Sequence, residues 1–195
     1  MRMLLPLCLA TALVSSESPE VLVQRVAQAA QQVNAMRFAF VQEKRLAMLE
    51  EPLCSSGVIE IDRLNSRLRW QYERGPVIIF AEGRVRRWGV DGVAESTAGQ
   101  AAQAMSAQLQ AMTSGDWSGL RELFELHPGG SEGEIMLRPK GEGMARYMAS
   151  LSLTFRVDGS PATLRLNTQG GDVTDYRFAP PDVAWIPDPA RFAGP

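Results

Sequence analysis

The stretch from Met36 to Tyr72 constrains the fold most, because its apolar residues return at every second position and polar ones fill the gaps. Phe38 and Phe40 share one face of an extended chain, as do Ile59 and Ile61, and as do Leu68, Trp70 and Tyr72. Glu60, Asp62, Arg67 and Arg69 take the opposite phase, which predicts strands with one apolar and one wet face. The hinge Glu51-Pro52-Leu53-Cys54-Ser55-Ser56-Gly57 is expected to separate the first strand from the second, since proline has no amide to give a central strand.

The pattern continues beyond this wall. Val77-Ile78-Ile79-Phe80 is an unbroken apolar run, read as a strand covered on both faces with Ile79 assigned to the inner one. Glu82-Gly83 and Asp158-Gly159 are hairpin signals. Leu151, Leu153, Phe155 and Val157 alternate, and Leu164 and Leu166 form the return strand. Roughly ten antiparallel strands are expected, and that many meandering strands with one apolar face tend to curl. Two helices stand out from the strands. Ser18-Pro19 is a capping serine followed by proline at the first helical position, before a stripe of Leu22, Val26, Ala29, Ala30 and Val33. The second helix spans Ala98 to Met112, with Ala101, Met105, Leu109 and Met112 on one stripe. Lying between strands, it must cover the sheet or plug it, and its methionines make that face adaptable. The expected fold is mainly β with a helical lid, an incomplete antiparallel barrel around an apolar cavity.

Arg2 followed by the apolar run Met3 to Val14, with Val14-Ser15-Ser16 as a small-residue cut, predicts a signal peptide over 1–16 and a mature domain over 17–195. Ala10-Thr11-Ala12 is a second possible cut. Cys8 lacks the small residues that precede a lipidated cysteine, which favours a soluble exported chain. Cys54 is then alone in the mature chain and is expected to be a buried structural thiol.

Reactive chemistry is scarce. The chain carries a single histidine, His127, placed before Pro128 at an expected turn. A hydrolase triad or a zinc site would depend on it almost wholly. Neither glycine-rich stretch, at Gly129-Gly130 or Gly141-Glu142-Gly143, follows a strand and opens a helix as a phosphate cradle does. A formal charge of −2 supplies no attraction for nucleic acid. No catalytic residue, metal or cofactor is expected, and an apolar cavity suits an apolar ligand.

Phe38-x-Phe40-x-Gln42-x-Lys44, Pro52-Leu53-x-Ser55-Ser56-Gly57 and Leu68-Arg69-Trp70 with Pro76 beyond it resemble the outer-membrane lipoprotein carrier family, the LolA-like proteins. Leu137-Arg138-Pro139-Lys140 and Gly171-Asp172-Val173-Thr174-Asp175-Tyr176 are similar to later motifs of that family, and the likeness covers nearly the whole mature chain. The resemblance implies a periplasmic half-barrel that takes lipoprotein acyl chains from an inner-membrane ABC-type releasing complex and passes them to an outer-membrane receptor. Its cavity would be lined by Phe38, Phe40, Ile59, Ile61, Leu68, Trp70, Ile79, Leu151, Leu153, Phe155, Leu164 and Leu166, under a lid bearing Met105, Leu109 and Met112. The family's lid latch is an arginine that hydrogen-bonds lid backbone. Arg63 occupies the matching place, although Leu64 stands where the family has a proline and a longer spacing to Trp70 leaves Arg67 as the alternative. A lipid-sensing interaction module of the same shape, or a small exported enzyme, would share these strands. The cargo could equally be another lipid.

Overall fold

A computed structural model describes residues 17–95 and 100–194. The expected leader lies outside them. Helix α1 (Pro19–Gln31) begins as expected, with the Ser18 hydroxyl accepting from the Val21 amide at 3.3 Å. The chain then forms β1 (Ala35–Arg45), β2 (Leu53–Asp62), β3 (Arg67–Tyr72), β4 (Val77–Ala81), β5 (Arg84–Trp88) and β6 (Ala94–Glu95). Helices α2 (Gln100–Ser114) and α3 (Ser118–Leu123) come next, followed by β7 (Phe124–Pro128), β8 (Glu134–Pro139) and the short α4 (Glu142–Ala145). Strands β9 (Met148–Phe155), β10 (Pro161–Thr168) and β11 (Val173–Phe178) complete the sheet, and a 3-10 turn (Pro189–Phe192) lies in the C-terminal tail.

Among the described residues eleven strands form one antiparallel sheet, in the order β6-β5-β4-β3-β2-β1-β11-β10-β9-β8-β7. The first and last strands of the sequence pair with each other, while β6 and β7 form its two edges. The segment joining those edges is α2 and α3, so a helix has to cross the open side of the curled sheet. That is the incomplete barrel with a helical cover that the strand pattern predicts.

The inner faces of β1 to β4 and β8 to β11 meet α1, α2 and α3 in one apolar cluster that includes Leu22, Val26, Phe38, Ile59, Leu109, Leu120 and Leu153. Gly57 has a packing reason to be glycine. A side chain there would lie 2.7 Å from the Phe40 ring and 2.0 Å from the Gln71 carbonyl oxygen, so its absence lets the ring settle on β2. Gly159 closes the β9–β10 turn at a φ of 77°, where a Cβ would come 2.4 Å from that of Ala29 on α1.

Several expectations need correction. The presumed hinge Leu53 to Gly57 is strand, because its backbone pairs with β1 from Lys44–Leu53 to Phe40–Gly57. Alternation along β2 turns Cys54 outward at the rim, so this thiol is exposed rather than buried. The turn assigned to His127-Pro128 is the edge strand β7, and β6 is a second edge strand that composition does not announce. Val157 falls in the turn after β9 and is 94% exposed.

The largest correction concerns the outer face. Glu60, Asp62 and Arg69 are buried, not wet. The tail folds back over β2, β3 and β4, where Arg191 donates to Glu60 at 2.8 Å and Arg69 donates to the carbonyls of Arg191 and Gly194 at 3.0 Å each. Asp62 is held at the end of β2 by Arg67 and by the Asn65 amide at 2.8 Å; these hydrogen bonds overcome its burial and keep its carboxyl below the usual range. Beside this polar group, Phe192 and Trp185 pack on Val77, Ile79 and Ala81, forming a second small core on the convex side.

Candidate functional site: a roofed apolar cavity

The concave face of the sheet holds a cavity of about 660 Å³, within the usual range for small-molecule sites. Trp70 and Ile78 line one side, Leu151, Leu164 and Leu166 the other, and Ala104 and Leu109 of α2 form the roof. Phe124, Met144 and Met148 complete the apolar lining. Lys44 and Tyr147 are exposed and mark its mouth. A second void of about 30 Å³ lies under the other half of α2, lined by Ile61, Leu153, Phe155, Met112 and Trp117. Gln108 and Leu164 border both spaces, so the partition between them is side chain and not backbone.

The predicted lining residues divide into groups. Trp70, Leu151, Leu164 and Leu166 face the main cavity, and Ile61, Leu153 and Phe155 the smaller one. Phe38, Phe40, Ile59 and Leu68 share the same concave face but lie in its packed floor. Phe40 touches Trp70, Tyr72 and Tyr176 at ring separations of 5.5, 5.1 and 5.9 Å, and Phe38 meets Phe178 edge-on at 5.6 Å. Such pairs add about 0.5–1.5 kcal/mol each beyond their burial.

Ile79 does not join this face. It belongs to the convex core under Phe192, and its neighbour Ile78 takes the cavity position. An all-apolar strand carries no phase of its own. Its pairing sets one, since Trp70 sits opposite Ile78 and Leu68 opposite Phe80.

On the roof, Leu109 lines the main cavity and Met112 the smaller one, while the side chain of Met105 lies outside the described residues. Among the described side chains of α2, Ala104, Ala107 and Ala111 are also buried, small enough to bring the helix close to its neighbours; Ala101 lies outside the described side chains. Arg63 lies at the end of β2. Its guanidinium donates to the carbonyls of Val33 and Met112, both at 3.3 Å. Arg67 reaches Asp62 instead, so of the two candidate arginines it is Arg63 that bonds α2 backbone. Burial lowers Arg63 to about 10, so it remains a cation at neutral pH in a partly dry position.

Sequence reading missed a polar group within the apolar wall. Ser55 Oγ lies 2.7 Å from Gln42 Oε1, Gln42 Nε2 lies 2.8 Å from Tyr176 Oη, and Tyr176 Oη lies 2.9 Å from Tyr72 Oη. Gln42, Tyr72 and Tyr176 all line the main cavity. Burial raises both phenols, and in Tyr176 the adjoining Tyr72 adds to the effect, so both stay protonated at neutral pH. Parity could have found them. Gln42 shares its phase with Phe38 and Phe40, and Tyr176 shares that of Phe178.

No protein-family model matches the chain, and no curated protein matches it in sequence. Solved structures do. A DUF1329 family protein from Desulfovibrio piger superposes with a TM-score of 0.52 at 11% identity, over 88% of this chain and 94% of that one. A LolA superfamily protein from Nitrosomonas europaea gives 0.43 at 7% identity, covering 88% and 96%. A domain provisionally described as an outer membrane lipoprotein-sorting protein, from Vibrio parahaemolyticus, gives 0.45 at 5%, covering 87% and 95%. The chain shares the fold of the Desulfovibrio protein. Its class is that of open antiparallel half-barrels with a helical roof.

Proposed function

We propose that this protein is a periplasmic carrier that holds acyl chains of lipoproteins, or of a related lipid, in the roofed cavity and moves them from the inner to the outer membrane. The observation that carries the reading is the cavity itself, an apolar space of about 660 Å³ between the sheet and α2. Removing an acyl chain from water is favourable by about 0.8 kcal/mol per methylene, so a chain of about fourteen carbons gains roughly 11 kcal/mol in such a site. A carrier must also release its load. Arg63 supports this: it ties α2 down through hydrogen bonds to backbone, which a small displacement breaks without leaving a buried carboxylate behind. In this reading α2 is the lid, Arg63 the latch, and the ABC-type releasing complex and outer-membrane receptor are the partners at the two ends of the journey.

An acyl chain carrying a terminal diazirine tests the assignment. Labelling is expected on the walls formed by Trp70, Leu151 and Leu166, and on Leu109 of the roof. Labelling confined to the convex face would remove the carrier reading.

A further inference from the structure

The cavity wall is graded along one strand. On the inner face of β1, Phe38 and Phe40 lie deep in the aromatic floor, Gln42 follows beside Tyr176, and Lys44 ends the series, exposed at the mouth. An apolar ligand without a head would need only the first part of this series.

Hydrogen counting sharpens the point. Ser55, the Gln42 amide, Tyr72 and Tyr176 together carry five polar hydrogens, and their three mutual contacts use three of them. Two hydrogens therefore remain to be given away, whichever way the Gln42 amide is turned. A further donor lies next to them. The indole of Trp70, 5.2 Å from the Tyr176 ring, has a buried N–H without a partner among the described residues. Lys44 is a cation with no carboxylate within 4.0 Å among the described residues. Of these donors the Trp70 N–H is buried, and a buried donor left unpaired costs about 1–3 kcal/mol. A molecule rich in acceptors, with its charge at the mouth, would satisfy all of them at once.

We infer that the cavity selects an acidic amphiphile: an acyl chain lies on the apolar walls, and a carboxylate or phosphate head accepts from the Gln42–Tyr176–Tyr72 group and pairs with Lys44. This rests on the acyl-carrier reading and adds the head to the chain. Charge-assisted bonds are the strong ones, so the head determines which acyl compounds are retained.

Calorimetry on the delipidated mature protein tests it, with three ligands of equal chain length: dodecanoic acid, monododecyl phosphate and 1-monolauroyl glycerol. At least one acid is expected to bind about tenfold tighter than the uncharged glyceride. Preference for the fatty acid assigns a carboxylate head, and preference for the phosphate a phosphate head. Lys44→Met is expected to bring the favoured acid within about twofold of the glyceride, which leaves room for a residual contribution from the neutral donors. Tyr72→Phe is expected to weaken the acid about fivefold through loss of a neutral donor. Lys44→Gln repeats the charge deletion should Lys44→Met alter the melting temperature. Equal binding of all three ligands overturns the inference and leaves the carrier reading standing. An acid preference that survives both Lys44 variants overturns the charge assignment, and failure of all three to bind overturns both readings together.

Discussion

Arg63 Nη2 lies 3.3 Å from the Met112 carbonyl oxygen, in the last turn of α2. The last carbonyls of a helix have no partner within it and carry the negative end of its dipole, so a cation is welcome there. The same guanidinium reaches the Val33 carbonyl just beyond α1, and thus ties the ends of two helices to the rim of the sheet. Its Nε is buried without a partner among the described residues, and burial has lowered its basicity. The two hydrogen bonds of Arg63 are therefore made at a desolvation cost.

Arg63→Leu should leave the sheet intact and loosen α2. Losing hydrogen bonds from a charged donor is worth about 1.5–3 kcal/mol, which corresponds to roughly 10- to 150-fold faster local opening. Hydrogen exchange at amides 111–115 reads this, with protection in β1 and β2 as the internal standard. Unchanged protection of the α2 C-terminus would end the latch account.

Phe192 is 2% exposed on the convex core, so Phe192→Ala should destabilise the protein by about 3–5 kcal/mol. Urea unfolding measures this. Because the tail lies on the face opposite the cavity, acyl binding by the remaining folded protein should persist. Loss of binding at full folding would place the tail in the site.

Gly57→Ala pushes a methyl group into the Phe40 ring and the Gln71 carbonyl. Overpacking of this kind costs about 1–3 kcal/mol. Gly141→Ala meets no atom within 4 Å and serves as the control, with an expected change within about 0.5 kcal/mol. Equal stability of the two variants would show that β2 does not carry the ring as described.

Acid should weaken the fold through carboxylates held below their ordinary values. Asp158 is lowered by the Ser160 hydroxyl at 2.7 Å and the Ser160 amide at 2.9 Å; Asp116 is lowered chiefly by Ser118. A depressed folded-state pKa means that the unfolded chain takes up the proton first as pH falls. The stabilisation is complete above about pH 4 and disappears as pH drops through the folded values. Melting temperatures between about pH 6 and pH 2.5 should fall more steeply for the wild type than for Asp158→Asn. Parallel curves would remove Asp158 from the account.

What the amino-acid order revealed and what it hid have one physical cause. Alternation is local, so β1, β3, β9 and β10 and their inner faces were legible, as was the Ser18 cap. What covers the outer face is not local. Glu60 and Arg69 look like solvated charges until Arg191, more than a hundred residues later, folds over them. The side on which Ile79 lies is hidden because the run Val77 to Ala81 is apolar at every position, and only its pairing with β3 distinguishes the two faces. Ser55 reads as hinge because small polar residues make poor strand signals, yet pairing with β1 makes it strand and sets its hydroxyl on Gln42.

The proposed carrier function requires that the space beneath α2 hold acyl chains. Native mass spectrometry of the protein recovered from a bacterial periplasm without detergent tests it most directly. The account predicts a population heavier than the bare chain, whose added mass is released by organic solvent and fragments to a fatty acyl group. A bare protein from the periplasm that also takes up no dodecanoic acid after purification would contradict it.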